Sequence, residues 1–356
     1  MRCKLSDICS YRKGKTEVKR LNNITYISTE NMLPNKGGIT EASSLPSIVL
    51  TQEYRKGDVL VSNIRPYFKK IWQAKYDGGC SNDVLVFTPN PMTDKDFLYY
   101  VLANDEFFLY SMATSKGTKM PRGDKDSIMQ YEIPDIGLDR QRKIASVLKS
   151  LDGKIQLNIA INNNLEQQAQ AIYSRMFIEH RQESWSTGQL SDLISVKYGK
   201  DHKKLADGNY PVYGSGGIIR YVEKPLHTGE SVLIPRKGTL NNVIYVNEAF
   251  WSVDTMFYTE MLHPNIAKFV YHFVKSKDLA SLNAGSAVPS MTTNILNAMQ
   301  LYIPDEKTLE KFENIVSPMY SAMQENTKES KILANTRDTL LPKLMSGELD
   351  VSDIDL

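Results

Sequence analysis

The strongest constraint on the fold is an internal repeat that runs through most of the chain. Leu5–Lys15 aligns with Leu190–Lys200, and six of these eleven positions are identical. Weaker matches follow in the same order: Gly57–Asp58 with Gly229–Glu230, Asp83 with Asp254, Phe97 and Tyr99 with Phe269 and Tyr271, Gly117 and Pro121 with Gly285 and Pro289, and Ile133–Pro134 with Ile303–Pro304. Because the order is kept and the offset drifts slowly, we interpret the chain as two copies of one unit.

Each copy divides into a globular part and a long helix. The globular parts are rich in Gly, Pro, Asn and Ser and contain short runs typical of strands. Strands are predicted at Val59–Val61, Val84–Phe87, Ser231–Ile234 and Asn242–Val246, and short amphipathic helices at Phe97–Tyr110 and Ile266–Leu282. We predict an α+β fold with globular domains at 1–135 and 186–304, and helical segments at 136–185 and 305–356.

The helical segments carry apolar residues at heptad spacing. The first stripe comprises Leu148, Leu151, Ile155, Leu165, Ala169, Ile172 and Met176, with Asn158 and Asn162 at the two intervening core positions. The second comprises Phe312, Ile315, Met319, Ala322, Asn326, Glu329, Leu333, Thr336, Leu340 and Leu344. We predict that the two long helices form an antiparallel coiled coil with pseudo-two-fold symmetry. The alternative is two independent helices, each packed on its own globe.

Local signals refine the helix ends. Asp139 and Asp305 are candidate N-caps or first-turn acids. Pro318 is expected to break or kink the second helix, because proline lacks the amide proton and clashes with the preceding turn.

Composition argues against several classes of protein. Among 356 residues, no apolar run approaches the roughly 18–20 residues of a membrane-spanning helix. The first residues also lack the apolar core of a signal peptide. Cys3, Cys9 and Cys80 form no C-x-x-C pair, which argues against a disulfide scaffold or a cysteine zinc site. We therefore expect a cytoplasmic protein.

Catalytic motifs begin in the sequence but are incomplete. Gly14–Thr16 resembles the end of a phosphate loop, but its leading glycine is replaced by Cys9. Gly214–Gly217 begins like a dinucleotide loop, but Ile219 stands at the third glycine position. His272 lies in an apolar helix and is interpreted as a packed side chain rather than a metal ligand. The chain is therefore predicted to be non-catalytic and to carry no metal or cofactor.

Charge is unevenly distributed, although 43 basic residues nearly balance 41 acidic ones. Residues 1–70 hold 13 basic and 6 acidic residues, whereas residues 305–356 hold 6 and 11. A basic surface binds DNA by releasing counterions from phosphates, and polar loops supply donors to phosphates and base edges. Such loops recur in both globes. We predict DNA contacts from Lys13, Lys15, Arg65, Lys69, Lys119 and Arg122 in the first globe and from Lys200, Tyr213, Ser215, Arg236, Lys237 and Thr239 in the second.

Several segments resemble the DNA specificity subunit of type I restriction-modification enzymes. Asn162–Tyr173 is similar to the central helical repeat of that family, and Arg337–Leu349 is similar to its C-terminal repeat. Tyr210–Gly217 and the stretch from Gly285 to Pro304 resemble motifs of its globes. The resemblance spans essentially the whole chain but departs at 139–141 and is weaker in the first globe. Because recognition domains in this family vary widely, the base-reading residues cannot be carried over by motif.

The resemblance implies a division of labour. Each globe would be a target recognition domain for one half of a bipartite, asymmetric DNA site, and the coiled coil would set the spacer and dock two methyltransferase subunits. S-adenosylmethionine, ATP and magnesium would be bound by those methyltransferase subunits and by restriction subunits, where present. This chain would bind none of them. The residues alone leave two alternatives open: a stand-alone methyltransferase or nuclease with its own recognition domain, and a protein-only scaffold.

Overall fold

The computed structural model describes residues 2–282 and 290–351. The chain forms two compact units, one made of Met1–Asn158 with Thr327–Leu356 and the other of Ile159–Asn326. Each unit therefore contains one globe together with a stretch of each long helix. The motif predicted at 285–289 and the last residues, from 352 onward, lie outside the described residues.

The first globe mixes short strands and short helices. Its strands are β1 (Arg2–Lys4), β2 (Cys9–Tyr11), β3 (Lys15–Glu17), β4 (Tyr26–Ile27), β5 (Leu50–Tyr54), β6 (Val59–Ser62), β7 (Ile71–Gln73), β8 (Gly78–Cys80), β9 (Val84–Pro89) and β10 (Glu132–Pro134). Its helices are α1 (Leu5–Ile8), α2 (Lys95–Ala103), α3 (Asp105–Ala113) and α4 (Lys125–Ile128). One sheet has the order β2-β9-β6-β7, a second has the order β3-β5-β8-β4, and β1 pairs with β10.

The first long helix, α5, spans Leu138–Tyr173 and continues as a π-helical segment over Ser174–Glu179. Every heptad position predicted in it is buried or half-buried, whereas Leu157, Ile159 and Ile161 beside the stripe are exposed. The predicted stripe of this helix is confirmed.

The second globe has a larger sheet. Its strands are β11 (Ser186–Gln189), β12 (Ile194–Tyr198), β13 (Asp207–Gly214), β14 (Gly217–Val222), β15 (His227–Pro235), β16 (Ile244–Ser252), β17 (Met256–Met261) and β18 (Gln300–Ile303). Its helices are α6 (Ala267–Lys275) and α7 (Thr293–Asn297). The six-stranded sheet has the order β12-β17-β15-β16-β13-β14, in which β13 and β16 are parallel. β11 pairs with β18.

The repeat is visible in the geometry of the two globes. In each globe a first strand pairs antiparallel with the strand just before the long helix, β1 with β10 and β11 with β18. A short helical turn follows, capped by an aspartate: Asp7 accepts from the Lys4 amide and Asp192 from the Gln189 amide, both at 2.7 Å. The aspartates of the Leu-Ser-Asp repeat thus serve the same local purpose twice.

The second long helix, α8, spans Glu306–Ser346. Asp305 caps it, because its Oδ1 accepts from the Thr308 amide at 2.9 Å. The expected break at Pro318 is wrong, since the helix continues through that residue, which is exposed. A proline on the solvent side removes one backbone hydrogen bond without ending a helix that is held by packing.

The predicted stripe of α8 is only partly correct. Three of its predicted positions, Ile315, Glu329 and Thr336, are exposed. The residues that follow them, Val316, Ser330 and Arg337, are buried or half-buried. A straight helix with 3.6 residues per turn drifts relative to a strict heptad, so a stripe extrapolated over many turns loses register. The inward face therefore shifts by one residue at these places.

The two helices run antiparallel within the first unit. Arg337 Nη1 donates to Asp152 Oδ1 at 2.6 Å, and Asn158 Nδ2 donates to Glu329 Oε2 at 2.7 Å. Later residues of α5 thus meet earlier residues of α8. Ile144 and Leu148 join Leu341, Leu344 and Met345 in the core of the first globe.

The same pairing occurs within the second unit. Asn162 Nδ2 donates to the Met323 carbonyl oxygen at 3.1 Å, and Asn326 Nδ2 donates to Asn162 Oδ1 at 2.9 Å. Further along, Tyr173 and Phe312 pack edge to face with ring centroids 6.2 Å apart. The predicted antiparallel helix pair is confirmed in each unit, and its helices also pack on the globes.

Two helix predictions need correction. The helix predicted at Phe97–Tyr110 is divided into α2 and α3, because Asn104 leaves the helical conformation and its side chain caps α3 by accepting from the Glu106 amide at 3.1 Å. The helix predicted at Ile266–Leu282 ends at Lys275. The four predicted strands are present, although the last begins at Ile244 rather than Asn242.

Candidate nucleic-acid interface

In the first globe, two of the predicted basic loops lie at one end of the sheet β2-β9-β6-β7. Both β2 and β6 run antiparallel to β9, so the chain leaves both strands at the same end of the sheet. Lys13 and Lys15 follow β2, whereas Arg65 and Lys69 follow β6. Lys13 and Lys15 are exposed, and Arg65 and Lys69 are half-buried. The sheet thus brings together loops that are far apart in sequence.

A short hairpin supplies the third basic loop of this globe. Lys116 and Arg122 exchange both backbone hydrogen bonds at 2.9 Å. Gly117 begins the turn with φ of 92°, a conformation that favours glycine. Lys119 and Arg122 are exposed at this hairpin. The turn therefore presents its cations to solvent.

The loop after β6 is fixed to this hairpin by its backbone. The Arg65 amide donates to the Pro121 carbonyl oxygen at 2.8 Å. Lys69 Nζ lies 2.7 Å from Asp105 Oδ2, and Lys36 Nζ lies 3.0 Å from Asp105 Oδ1. Partial burial opposes ionisation of Asp105, but hydrogen bonds from Lys69 and Lys36 hold its pKa below the usual value. One carboxylate therefore positions two lysines of the basic surface.

Other carboxylates hold further cations of this surface. Arg122 Nη2 lies 3.1 Å from Asp83 Oδ1, and Lys116 Nζ lies 2.5 Å from Asp124 Oδ2. The hydrogen bond from Lys116 and the Ser127 amide lower the pKa of Asp124 to about 2. Exposed pairs of this kind are weak and exchange partners readily. Phosphates could therefore share these cations with little loss of folded stability.

In the second globe, the segment between β16 and β17 gathers the predicted residues. The Lys200 amide donates to the Ser252 carbonyl oxygen at 2.8 Å. The Arg236 and Lys237 amides both donate to the Thr255 carbonyl oxygen, at 2.8 and 3.2 Å. Two basic loops that are separated in sequence, at Lys200 and at Arg236–Lys237, are thus tied to the end of β16 and to the short connection that follows it.

The hairpin between β13 and β14 joins the same cluster. Asn242 Nδ2 donates to the Ser215 carbonyl oxygen at 2.7 Å. A side chain at Gly238 would come within 3.0 Å of Ser215 Oγ, and the φ of Gly238 is 85°, so glycine permits this close approach. Thr239 is exposed beside it.

Tyr213 differs from the other predicted contacts because its side chain is 8% exposed. Its hydroxyl donates to Glu248 Oε1 at 2.6 Å, and burial together with that carboxylate raises its pKa. The Tyr213 carbonyl oxygen accepts from the Val253 amide at 3.1 Å. Tyr213 therefore supports the loop cluster from within the sheet.

The sequence prediction missed three exposed aromatic residues at these surfaces. Tyr198 is 52% exposed, and the guanidinium of Arg236 lies 5.3 Å from its ring centroid. In the first globe, Tyr67 and Phe68 are 49% and 38% exposed. Tyr198 lies inside the strongest repeat match, and the other two stand between predicted basic residues, so an aromatic flanked by cations was the available signal.

A metal-binding cluster is absent from the part of the chain that the structure describes. No group of three or more His, Cys, Asp or Glu residues there could hold a metal ion, and none of the described helices is apolar and long enough to cross a membrane.

His272 is fully buried and lies 2.8 Å from Gln170 Oε1 and 2.9 Å from the Tyr320 hydroxyl. Burial lowers its pKa to about 4. The interpretation of His272 as a packed side chain is confirmed.

Comparison with known proteins gives a consistent result. The family model for the type I restriction modification DNA specificity domain matches twice, over residues 1–167 and 182–334. The chain is 21% identical to the type I restriction enzyme HindI specificity subunit of Haemophilus influenzae, with 97% of this chain and 98% of that protein covered. It is 20% identical to the MjaIX specificity subunit of Methanocaldococcus jannaschii, with 73% of this chain and 70% of that protein covered.

A solved structure supports the same architecture. The S subunit of a type I restriction-modification system from M. genitalium superposes with a TM-score of 0.57 at 19% identity, covering 97% of this chain and 96% of that one. At this identity the likeness concerns the fold. The double match of the family model confirms the internal repeat.

Proposed function

This chain belongs to the type I restriction modification DNA specificity family, and we propose that each of its globes reads one half of a bipartite DNA site. The observation that carries the proposal is the recurrence of exposed basic loops, gathered by the sheet in each globe. Loops of this composition neutralise phosphates and place polar side chains at base edges.

The specificity subunit is the non-catalytic component of a type I system, and it acts with partner subunits. We propose two methyltransferase subunits as its partners, with restriction subunits where the system cleaves DNA. S-adenosylmethionine, ATP and magnesium would then be used by those partners, in the cytoplasm where the DNA lies. Among the described residues, nothing favours a stand-alone enzyme or a protein-only scaffold.

The long helices would set the spacer between the half-sites. α5 is continuous from Leu138 to Tyr173 and is paired with α8 in each unit. Inserting whole helical turns at matched positions in both helices should lengthen the tolerated spacer and leave both half-sites unchanged. A change in the half-sites themselves would contradict this role.

The central experiment is footprinting of the complex purified with its co-expressed methyltransferase, on the sites found by mapping methylated adenines in the source genome. We expect two protected blocks separated by an indifferent spacer. One continuous recognition block would refute the proposal.

Charge substitutions assign a globe to each block. Arg236→Ala with Lys237→Ala should weaken protection of one block and lower the slope of log affinity against log salt by about 1 for each lost phosphate contact. Lys224→Ala is the matched control, because Lys224 is exposed but lies beyond β14, at the opposite end of that hairpin from Ser215. An unchanged salt slope in the double variant would remove this loop from the interface.

A further inference from the structure

One turn of the first globe combines unusual backbone geometry with exposed aromatic rings. A 3-10 turn, Pro66–Phe68, is flanked by Arg65 and Lys69, both left-handed with φ of 50°. Asn35 and Lys36, with φ of 54° and 61°, lie directly against it. Their amides donate to the carbonyl oxygens of Phe68 and Lys69 at 2.8 and 2.9 Å.

This concentration of left-handed residues is informative. Within the described residues, Asn265 is the one other non-glycine residue at positive φ. Such conformations are unfavourable for side-chain-bearing residues and persist only where the surroundings determine them. Here Pro66 is buried, and the Arg65 amide donates to the Pro121 carbonyl oxygen. The turn is therefore held in one shape by structure on both sides.

What this rigid turn presents is a pair of aromatic rings. Tyr67 and Phe68 are 49% and 38% exposed, and their ring centroids lie 4.6 Å apart at an interplanar angle of 51°. Lys70 Nζ lies 5.8 Å from the Phe68 ring centroid. Aromatic rings held at the surface in a fixed orientation are suited to stacking on a flat apolar partner.

The surroundings of the pair select a polyanion as that partner. Lys119 and Arg122 stand on the adjoining hairpin, and Lys36 and Lys69 are held beside the turn by Asp105. The buried Nε of Arg65 has no hydrogen-bond partner. A ring pair surrounded by cations fits the stacked bases and flanking phosphates of DNA.

We propose that Tyr67 and Phe68 form a wedge that inserts at one base step of the half-site bound by the first globe and unstacks it. The inference rests on the proposed function and adds that part of this half-site is read through deformability of the DNA. The corresponding loop of the second globe, Arg236–Thr239, contains no aromatic residue. We therefore assign this wedge to the first globe alone.

The wedge is tested with a series of duplexes of the footprinted sequence, each carrying one single-strand nick at a different base step, so that the sequence itself stays unchanged. A nick at the inserted step lowers the penalty of unstacking, so the wild-type complex should bind that duplex about tenfold more tightly than the intact one. Nicks elsewhere, including throughout the other half-site, should give no such gain. Tyr67→Ala with Phe68→Ala should weaken binding to the intact duplex about tenfold or more, keep the salt slope and abolish the position-specific gain.

Two further variants complete the design. Met92→Ala removes a more exposed apolar side chain, 71% exposed, beyond the opposite end of β9, and should leave the nick profile unchanged. Tyr67→Phe keeps the ring and should preserve the gain. Affinities are measured by fluorescence anisotropy of the complete methyltransferase complex.

The outcomes separate the wedge from the proposed function. A two-block footprint with a flat nick profile, or a profile that the double alanine variant retains, overturns the wedge alone. Absence of the two-block footprint overturns the proposed function itself. If the double variant keeps its fold but no longer co-purifies with the methyltransferase, the rings dock a protein and the wedge is refuted.

Discussion

Replacing Lys268 with methionine would test what holds the second globe to α8. Lys268 lies in α6 and is 4% exposed. Its Nζ lies 2.8 Å from Glu230 Oε1, in β15, and 2.6 Å from Glu313 Oε1, in α8. Methionine keeps most of the aliphatic chain and removes the charge, so two carboxylates lose their common counterion.

The size of the effect follows from burial. The side chain of Glu313 is 15% exposed and that of Glu230 is 32% exposed. Removing one partner of a buried ion pair costs about 3–5 kcal/mol, and the partial exposure of Glu230 places the expected loss near the lower end. A loss of about 3 kcal/mol changes the unfolding equilibrium by more than about a hundredfold. For a unit of this length, the melting temperature should fall by about 6–12 °C.

The pH dependence should change with the substitution. Burial opposes ionisation of Glu230, but hydrogen bonds from Lys268 and Tyr245 hold its pKa below the usual 4.5. In the wild type, this carboxylate therefore contributes stability above pH 4.5 that is lost as the pH falls further. Without the lysine, burial of Glu230 works to raise the pKa of that carboxylate with less opposition. The variant should gain stability relative to wild type as the pH falls from 7 towards 5.

The assay combines calorimetric unfolding at both ends of this pH range with hydrogen exchange of residues 267–275. Lys311→Met, at an exposed position of α8, is the control and should change stability by less than about 0.5 kcal/mol. Adding Glu230→Gln and Glu313→Gln to Lys268→Met should restore most of the loss. A loss below about 1 kcal/mol with no pH dependence would refute the reasoning, since it would mean that water compensates these charges.

Three further predictions concern stability. Asp152→Ala should destabilise the first unit by about 2–3 kcal/mol, because Asp152 accepts hydrogen bonds from Arg337 at 2.6 Å and from the Tyr100 hydroxyl at 2.7 Å. Urea unfolding of this variant, compared with that of Asp152→Asn, checks the prediction. Burial lowers the pKa of His272 to about 4, so the stability of the wild type should fall as the pH drops from 6.5 towards 4, by up to about 1.4 kcal/mol per pH unit. In melting curves recorded across this pH range, His272→Gln should flatten that dependence. Asp305→Ala should cost about 1 kcal/mol in thermal unfolding by removing the cap of α8, and Asp305→Asn should retain most of it.

Much of the architecture could be predicted from local pattern. The heptad stripe of α5 is correct at every predicted position, including Asn158 and Asn162. The errors in α8 have two separate causes, the exposure of one helix face and the drift of the helix from a strict heptad. Pro318 is accommodated since the face it occupies is exposed, and Val316 replaces Ile315 in the packed stripe because the real helix drifts from a strict heptad.

The candidate site was predictable in its composition and not in its assembly. Cations and small polar residues at repeat-related places indicated the loops, but burial of Tyr213 removes its ring from the surface. Tyr198 is the opposite case, because it was not predicted as a contact but its ring is exposed and lies against the guanidinium of Arg236. Exposure depends on strand order, which joins residues distant in sequence, so the sequence could name the loops but not the side chains that each loop presents.

The sequence by itself therefore determined the repeat, the alternation of globe and helix, and the first-turn aspartate Asp139 and the capping aspartate Asp305 of the two long helices. A repeat is visible when the two halves of the chain are aligned, and helical periodicity and caps depend on residues a few positions apart. Only the tertiary structure decided that the loops after β2 and β6 lie at the same end of one sheet. It also decided that the turn Pro66–Phe68 is flanked by two left-handed residues and exposes its two aromatic rings. The physical reason is that these features arise from backbone hydrogen bonds between distant segments, such as the bond from Arg65 to Pro121, which no periodicity along the chain encodes.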